Sequence, residues 1–343
     1  MITKCYIRVD ANTTIGTGHL IRTEILADEL KKHNIAVKFI CNTIPENFQK
    51  KLIDKKYELH RINNTENELN QIINIIGNPE NSILIIDSDK EEFYDKNFQI
   101  KIQQNGIKLM IITFYHNYRF YADIILNQNI MALSQTYSTE TYTRKLLGTE
   151  NVILNEDYRK ISKQLYRYKT NLPNKTVLLT FGGMDKPDRT SFVYKAILNT
   201  QPKPDKVIIV LGALYQYRKK IEQLMANAAI KTELYQNTPK MPYLLAESDI
   251  VIGSGGLTVW EAAVLKNLVI IMGHSKREQI GGKFIGDNKL GIYLGTINNY
   301  TQKSLCEKLS SIFSSDYSSL VNNLSTKINA DGIQNVINVI KEI

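Results

Sequence analysis

Residues 5–30 read CYIRVDANTTIGTGHLIRTEILADEL. Cys5–Asp10 is a short run rich in strand formers, and His19–Lys32 carries Ile21, Ile25, Leu26 and Leu30 at helical spacing. Between them, Gly16 and Gly18 permit a tight turn and a close backbone approach to a ligand. The same strand–turn–helix logic recurs outward from this unit. Val37–Cys41, Ser82–Asp87, Leu109–Thr113 and Ile124–Leu126 are further strand candidates. Their apolar runs alternate little, which predicts strands covered on both faces. A second series begins near residue 175. Its strands are expected at Thr176–Phe181, Val207–Leu211, Asp249–Ile252 and Val269–Met272. Its helices are expected at Ser191–Leu198, Tyr217–Asn227 and from Leu257 to Val264. This alternation predicts an α/β protein with doubly wound parallel sheets. At 343 residues, and ~150 per domain, two domains are expected. They are placed at 1–158 and 175–328, with a polar, basic linker at 159–174 and a short amphipathic helix at 329–343.

Composition narrows the class. Hydrophobic residues make up 43% and charged residues 22%, which excludes wholesale disorder. No apolar run approaches the ~18 residues of a membrane helix, and Lys4, Arg8 and Asp10 interrupt any signal-peptide core, so a cytoplasmic protein is expected. Three scattered cysteines fit a reducing compartment. His33, His60, His116 and His274 show no metal-ligand spacing, and neither a metal nor a cofactor is expected. The net charge of +9 reads either as a lysine-rich solvated surface or as attraction to an anionic partner. No RNA-binding signature is present, so a phosphorylated small molecule or an anionic membrane surface fits better than nucleic acid.

Three strand–loop turns could carry chemistry. In the first, Asp10 to His19, a helix start presents N–H groups and a positive dipole end to an anion. The turn is neither a dinucleotide fingerprint nor a P-loop, and on its own it also reads as an ordinary strand–helix connection. His19 sits where ligands bind in open α/β sheets, and the helix dipole is expected to keep it neutral, as a general base requires. A capping or packing histidine is the plain alternative. Arg22 follows one turn later, facing either a phosphate or solvent. In the second turn, Ser254-Gly255-Gly256-Leu257-Thr258, glycines and hydroxyls surround exposed amides, and Glu261 is placed to accept from a ribose diol or simply to favour the helix start. The third, Phe181-Gly182-Gly183-Met184-Asp185, follows the first strand of the second domain, and Asp185 either faces the ligand or caps the next element. Two glycine loops, one per domain, suggest an interdomain cleft for a diphosphate.

These motifs resemble a known family. IRVDANTTIGTGHLIRTEILADEL, ADIILNQN (122–129), LLGTENVIL (146–154), TFGGMD (180–185) and SDIVIGSGGLTVWEAA (248–263) are similar, in order, to the UDP-sugar hydrolase of the pseudaminic acid pathway. That enzyme removes UDP from UDP-2,4-diacetamido-2,4,6-trideoxy-β-L-altropyranose. The resemblance covers about residues 4–295. It implies a GT-B-like fold of two Rossmann-like domains facing a cleft, similar to the lipid II N-acetylglucosaminyltransferase. It implies His19 as the base, Gly255, Gly256, Leu257 and Thr258 as the diphosphate loop, and Glu261 as the ribose ligand. Asp10 and Arg22 match positions of the first motif. With Gly16, Gly18, Gly182, Gly183 and Ser254 they complete the expected substrate contacts. Three stretches depart from the pattern: Asp89 stands where an aromatic is usual, Thr113-Phe114 replaces an Asp pair, and Glu278-Gln279 replaces Asn-Gln. Glu278 and Gln279 are expected on the sugar side. The implied reaction is inverting hydrolysis by a monomer, and the alternative is an inverting glycosyltransferase using a UDP-sugar donor. The Asn42–Lys56 region, with four lysines, is where a transferase would meet a membrane.

Overall fold

The computed structural model describes residues 1–63, 67–164 and 175–343. The chain divides into two compact units. Unit 1 comprises Met1–Leu154 and Asp331–Ile343, and unit 2 comprises Asn155–Ala330. Unit 1 contains β1 (Lys4–Val9), β2 (Ala36–Cys41), β3 (Glu58–Arg61), β4 (Ser82–Asp87), β5 (Lys108–Ile112), β6 (Arg119–Phe120), β7 (Ile124–Asn127), β8 (Ser138–Thr139) and β9 (Arg144–Leu147). Seven of these form one sheet in the order β3-β2-β1-β4-β5-β7-β9, parallel at every pairing. β6 and β8 make a separate short pair.

Unit 2 repeats the plan with β10 (Thr176–Thr180), β11 (Lys206–Leu211), β12 (Lys231–Gln236), β13 (Ile250–Gly253), β14 (Leu268–Ile271) and β15 (Ile292–Tyr293). Their order is β12-β11-β10-β13-β14-β15, again parallel. In both sheets the strand order reverses direction after the first strand, between β1 and β4 and between β10 and β13. Such switch points open a crevice at the carboxyl ends of the strands. The apolar strands are buried because helices cover both faces. Val177, Leu179, Val207, Ile209 and Ile252 anchor the core of unit 2, and Leu84, Ile86, Leu109 and Ile111 one core of unit 1.

The division between units falls after Leu154, so Tyr158 lies in unit 2. Residues 159–164 of the expected linker are helical, within Glu156–Gln164, and 165–174 lie outside the described residues. The terminal helix Gly332–Glu342 belongs to unit 1. Its Gln334 Nε2 donates to Glu29 Oε1 at 2.6 Å, and a Cβ on Gly332 would come within 2.7 Å of the Val152 nitrogen. Among the described residues, no helix is long and apolar enough to cross a membrane.

Candidate active site

β1 and β4 run in register, with Val9 opposite Asp87, so Asp10 and Asp87 emerge together at the first switch point. The helix Gly18–Lys32 begins one turn downstream and brings His19 to that edge. His19 Nδ1 contacts Asp87 Oδ1 at 2.5 Å. Arg22, one turn later, donates from Nε to Asp87 Oδ2 at 2.8 Å and from Nη2 to Oδ1 at 2.6 Å. A fully buried carboxylate thus holds a histidine and a bidentate arginine. The opposite ring nitrogen, Nε2, lies 3.5 Å from Oδ2 of the partly exposed Asp89.

This arrangement corrects the expectation of a neutral His19. Burial pushes the imidazolium pKa down, but the Asp87 charge, its hydrogen bond and the Asp89 contact outweigh it, against Arg22, and raise it to about 9. For Asp87, burial pushes upward, yet Arg22 and His19 hold the carboxyl well below the usual carboxylate range. A carboxylate at hydrogen-bond distance favours the charged imidazolium.

Asp10 is buried and occupied by the protein. It accepts from Arg8 Nη2 at 2.7 Å and from the amides of Asn42 and Thr43 at 2.8 and 2.9 Å. Arg8 also donates to Glu68. Thr43 Oγ1 accepts from Asn12 Nδ2, and Asn12 Oδ1 accepts from the amides of Thr14 and Ile15. Asp10 is thereby linked, through Thr43 and Asn12, to the turn before His19. Gly16 needs its glycine, at φ +85°. Among the described residues, nothing lies within 4 Å of a Cβ built on Gly16 or Gly18.

In unit 2, Thr180 pairs with Gly253, so the loops after β10 and β13 adjoin. A Cβ on Gly182 would lie 3.8 Å from Ser254 Oγ, and one on Gly255 3.1 Å from Ile271 and 3.6 Å from the Glu278 carbonyl oxygen. Gly182, Gly183, Ser254–Thr258 and Glu278 are thus neighbours. Helical hydrogen bonding starts with Val259 N–H to Gly256 O, so the amides of Gly255–Thr258 precede the ladder. Glu261 is buried. Desolvation raises its carboxyl to about 7, against hydrogen bonds from Tyr158 and Thr258.

The Glu278 carboxylate is occupied by the loop itself. It accepts from the amides of His274 and Ser275 in a capping box, and from Arg189 Nη1 at 3.2 Å. Gln279 Nε2 donates to the His274 carbonyl at 2.9 Å. Arg189, buried, also reaches Asp185 Oδ1 at 3.0 Å and the Met272 carbonyl at 2.8 Å, and lies over the Phe181 ring. Asp185 accepts from the Arg189 and Thr190 amides at the start of the next helix, whose N-cap is Asp188. Beneath these loops a Cβ on Gly212 would fall 2.3 Å from the carbonyl oxygens of Gly182 and Gly183. Gly212→Ala is expected to destabilise unit 2 by about 1–3 kcal/mol. Fluorescence of Trp260, the chain's single tryptophan, reads that loss as a lower urea midpoint.

Sequence reasoning did not single out Asp87, Arg189 and Tyr158, which lie against the candidate residues His19, Glu278 and Glu261. Asp87 gave a signal, a carboxylate closing the otherwise apolar run SILIID. Of the departures, Thr113 Oγ1 accepts from the Tyr115 amide and Tyr94 OH, and Phe114 O accepts from Asn127. Tyr94 is buried, stacked on Tyr118 at 4.6 Å.

No protein-family model matches the chain. It is 27% identical over 278 residues to an uncharacterized protein of Methanocaldococcus jannaschii, covering 78% of this chain and 55% of that protein, so it spans about half that relative's length. It is 20% identical over 321 residues to the spore coat polysaccharide biosynthesis protein SpsG of Bacillus subtilis, covering 90% and 88%. Among solved structures it is similar to MurG of Acinetobacter baumannii, with TM-score 0.70, 12% identity and full coverage of both chains. It is also similar to the spinosyn rhamnosyltransferase SpnG bound to thymidine diphosphate, with TM-score 0.65 and 9% identity over 98% of this chain and all of that one. The two parallel, Rossmann-like sheets and these neighbours establish a GT-B glycosyltransferase-like fold.

Proposed function

We propose that the chain cleaves the anomeric C–O bond of a nucleoside-diphosphate sugar and delivers the glycosyl group to water. The observation that carries this reading is the His19–Asp87 pair at the switch point of unit 1. Asp87 fixes Nδ1, which leaves Nε2 as the working nitrogen. In the neutral imidazole, Nε2 takes a proton from water as its oxygen bonds to the anomeric carbon. The bond from that carbon to the diphosphate oxygen breaks, and the nucleoside diphosphate leaves with the electron pair. Attack opposite the leaving group inverts the centre. The amides of Gly255–Thr258, with Gly182 and Gly183 beside them, suit the diphosphate, and Glu261 the ribose diol. UDP-2,4-diacetamido-2,4,6-trideoxy-β-L-altropyranose, or a close analogue in nonulosonic acid synthesis, is the first substrate to try.

A second reading has a specific support. The fold is shared with glycosyltransferases, and SpsG carries a polysaccharide-synthesis name. In that reading His19 takes its proton from an acceptor hydroxyl. The experiment is 31P NMR of the protein with a panel of UDP- and dTDP-sugars, without acceptor. Free nucleoside diphosphate released from one sugar is expected. Binding of the nucleotide with no release until an alcohol acceptor is supplied would move the assignment to transfer.

A further inference from the structure

We propose that Asp89 is a positioning residue of this site, a second carboxylate that occupies the working nitrogen of His19 until substrate displaces it. The proposal rests on His19 being the base. The two carboxylates come from one short turn and differ in kind. Asp87, the last residue of β4, is wholly buried and fixed by both Arg22 nitrogens and His19 Nδ1. Asp89 lies two residues on, its side chain 44% exposed, with Oδ2 3.5 Å from Nε2. Between them Ser88 pins the turn. Its Oγ accepts from the Lys90 amide at 3.2 Å, and its carbonyl accepts from Tyr94 OH at 3.0 Å. The backbone is therefore held while the Asp89 carboxylate sits at the surface end of the ring.

The charged groups facing the imidazole are Asp87 and Asp89 from the edge of β4 and Arg22 from its own helix. Tyr94 stands beside Asp89 and Asp87. A ring with a carboxylate at each nitrogen is held as an imidazolium. Before it can act as a base, Nε2 must lose a proton and also its partner. Asp87 is wholly buried whereas the Asp89 side chain reaches the surface, so Asp89 is the contact that opens. The exposed carboxylate thus sets both the resting charge of His19 and access to it.

The test uses Asp89→Asn and Asp89→Ala in the full chain, with two readouts. Imidazole NMR titration, assigned by His19→Gln, gives the His19 midpoint without any ligand. The pH dependence of kcat/KM, on the sugar nucleotide consumed in the 31P screen, gives the functional midpoint. Both variants are expected to lower the His19 midpoint by about one pH unit. The rising limb of kcat/KM should shift by the same interval, with the rate at pH 7 up to about tenfold higher. An unchanged His19 midpoint in both variants would overturn the proposal. So would a lowered midpoint with a limb that stays in place and a rate reduced at every pH, which would make Asp89 a ligand of the nucleophile. Failure of the underlying reading looks different: His19→Ala would retain wild-type turnover whatever the Asp89 variants do.

Discussion

Wild-type kcat/KM for nucleotide release is expected to rise about tenfold per pH unit through neutrality and to level off above about 9, and His19→Ala is expected to lose that limb. The direction follows from the site. Asp87 and Asp89 raise His19 to about 9 despite burial, so the protonated ring prevails at pH 7. Measured at the plateau, His19→Ala should lose ~10²–10⁴ of turnover. Nucleotide affinity, measured by calorimetry with UDP and dTDP, should stay within a few-fold because the residues assigned to the nucleotide lie in unit 2. Stability runs the opposite way. A raised pKa contributes stability that is fully present below about 6.5 and is lost as pH rises through about 9. Initial rates are therefore needed at the alkaline end. A flat profile from pH 6 to 10 would remove His19 as the base.

Removing the Asp87 carboxylate should have the largest effect on the fold of unit 1. Asp87→Ala leaves the nearly buried Arg22 guanidinium and the His19 ring without their shared counter-charge. Breaking such a buried pair from one side typically costs about 3–5 kcal/mol. A drop in Tm on the order of 10 °C is expected for a unit of this size, by scanning calorimetry. Asp87→Asn keeps the shape and removes the charge. It should fold better than the alanine variant yet lose ~10²–10⁴ of turnover, because an amide no longer fixes the His19 tautomer. A stable Asp87→Ala protein with normal melting would mean that Arg22 finds another partner.

The strand–turn–helix units were legible because their apolar runs are buried on both faces. β1, β4, β5, β10, β11, β13 and β14 all fall within a residue or two of the sequence reading. β3, β9 and β12 were not, since edge strands such as KTELYQ carry polar residues and only half-buried positions. His19 was visible from its place after a glycine turn, but its charge state was not. That depends on Asp87, 68 residues away, which only strand pairing brings alongside. Glu278 shows the converse. The resemblance drew it into the expected sugar side, through its place at a usual Asn-Gln pair, and its position three residues after Ser275 also marked a capping box. Arg189 left only a slight local signal, Asp185 four residues before it, because Met272 and Glu278 reach it only through the fold.

The contact between Gly332 and Val152 has a topological consequence. The chain leaves unit 1 after Leu154 and re-enters at Asp331, and these two points touch. Unit 2 is therefore spliced into its neighbour at a single spot, as an inserted domain is. A ribosome makes all of unit 2 before it supplies the helix Gly332–Glu342, whose Ile333, Val336, Ile337 and Ile340 are buried in unit 1. Unit 1 is therefore completed by a helix that follows the whole of unit 2 along the chain.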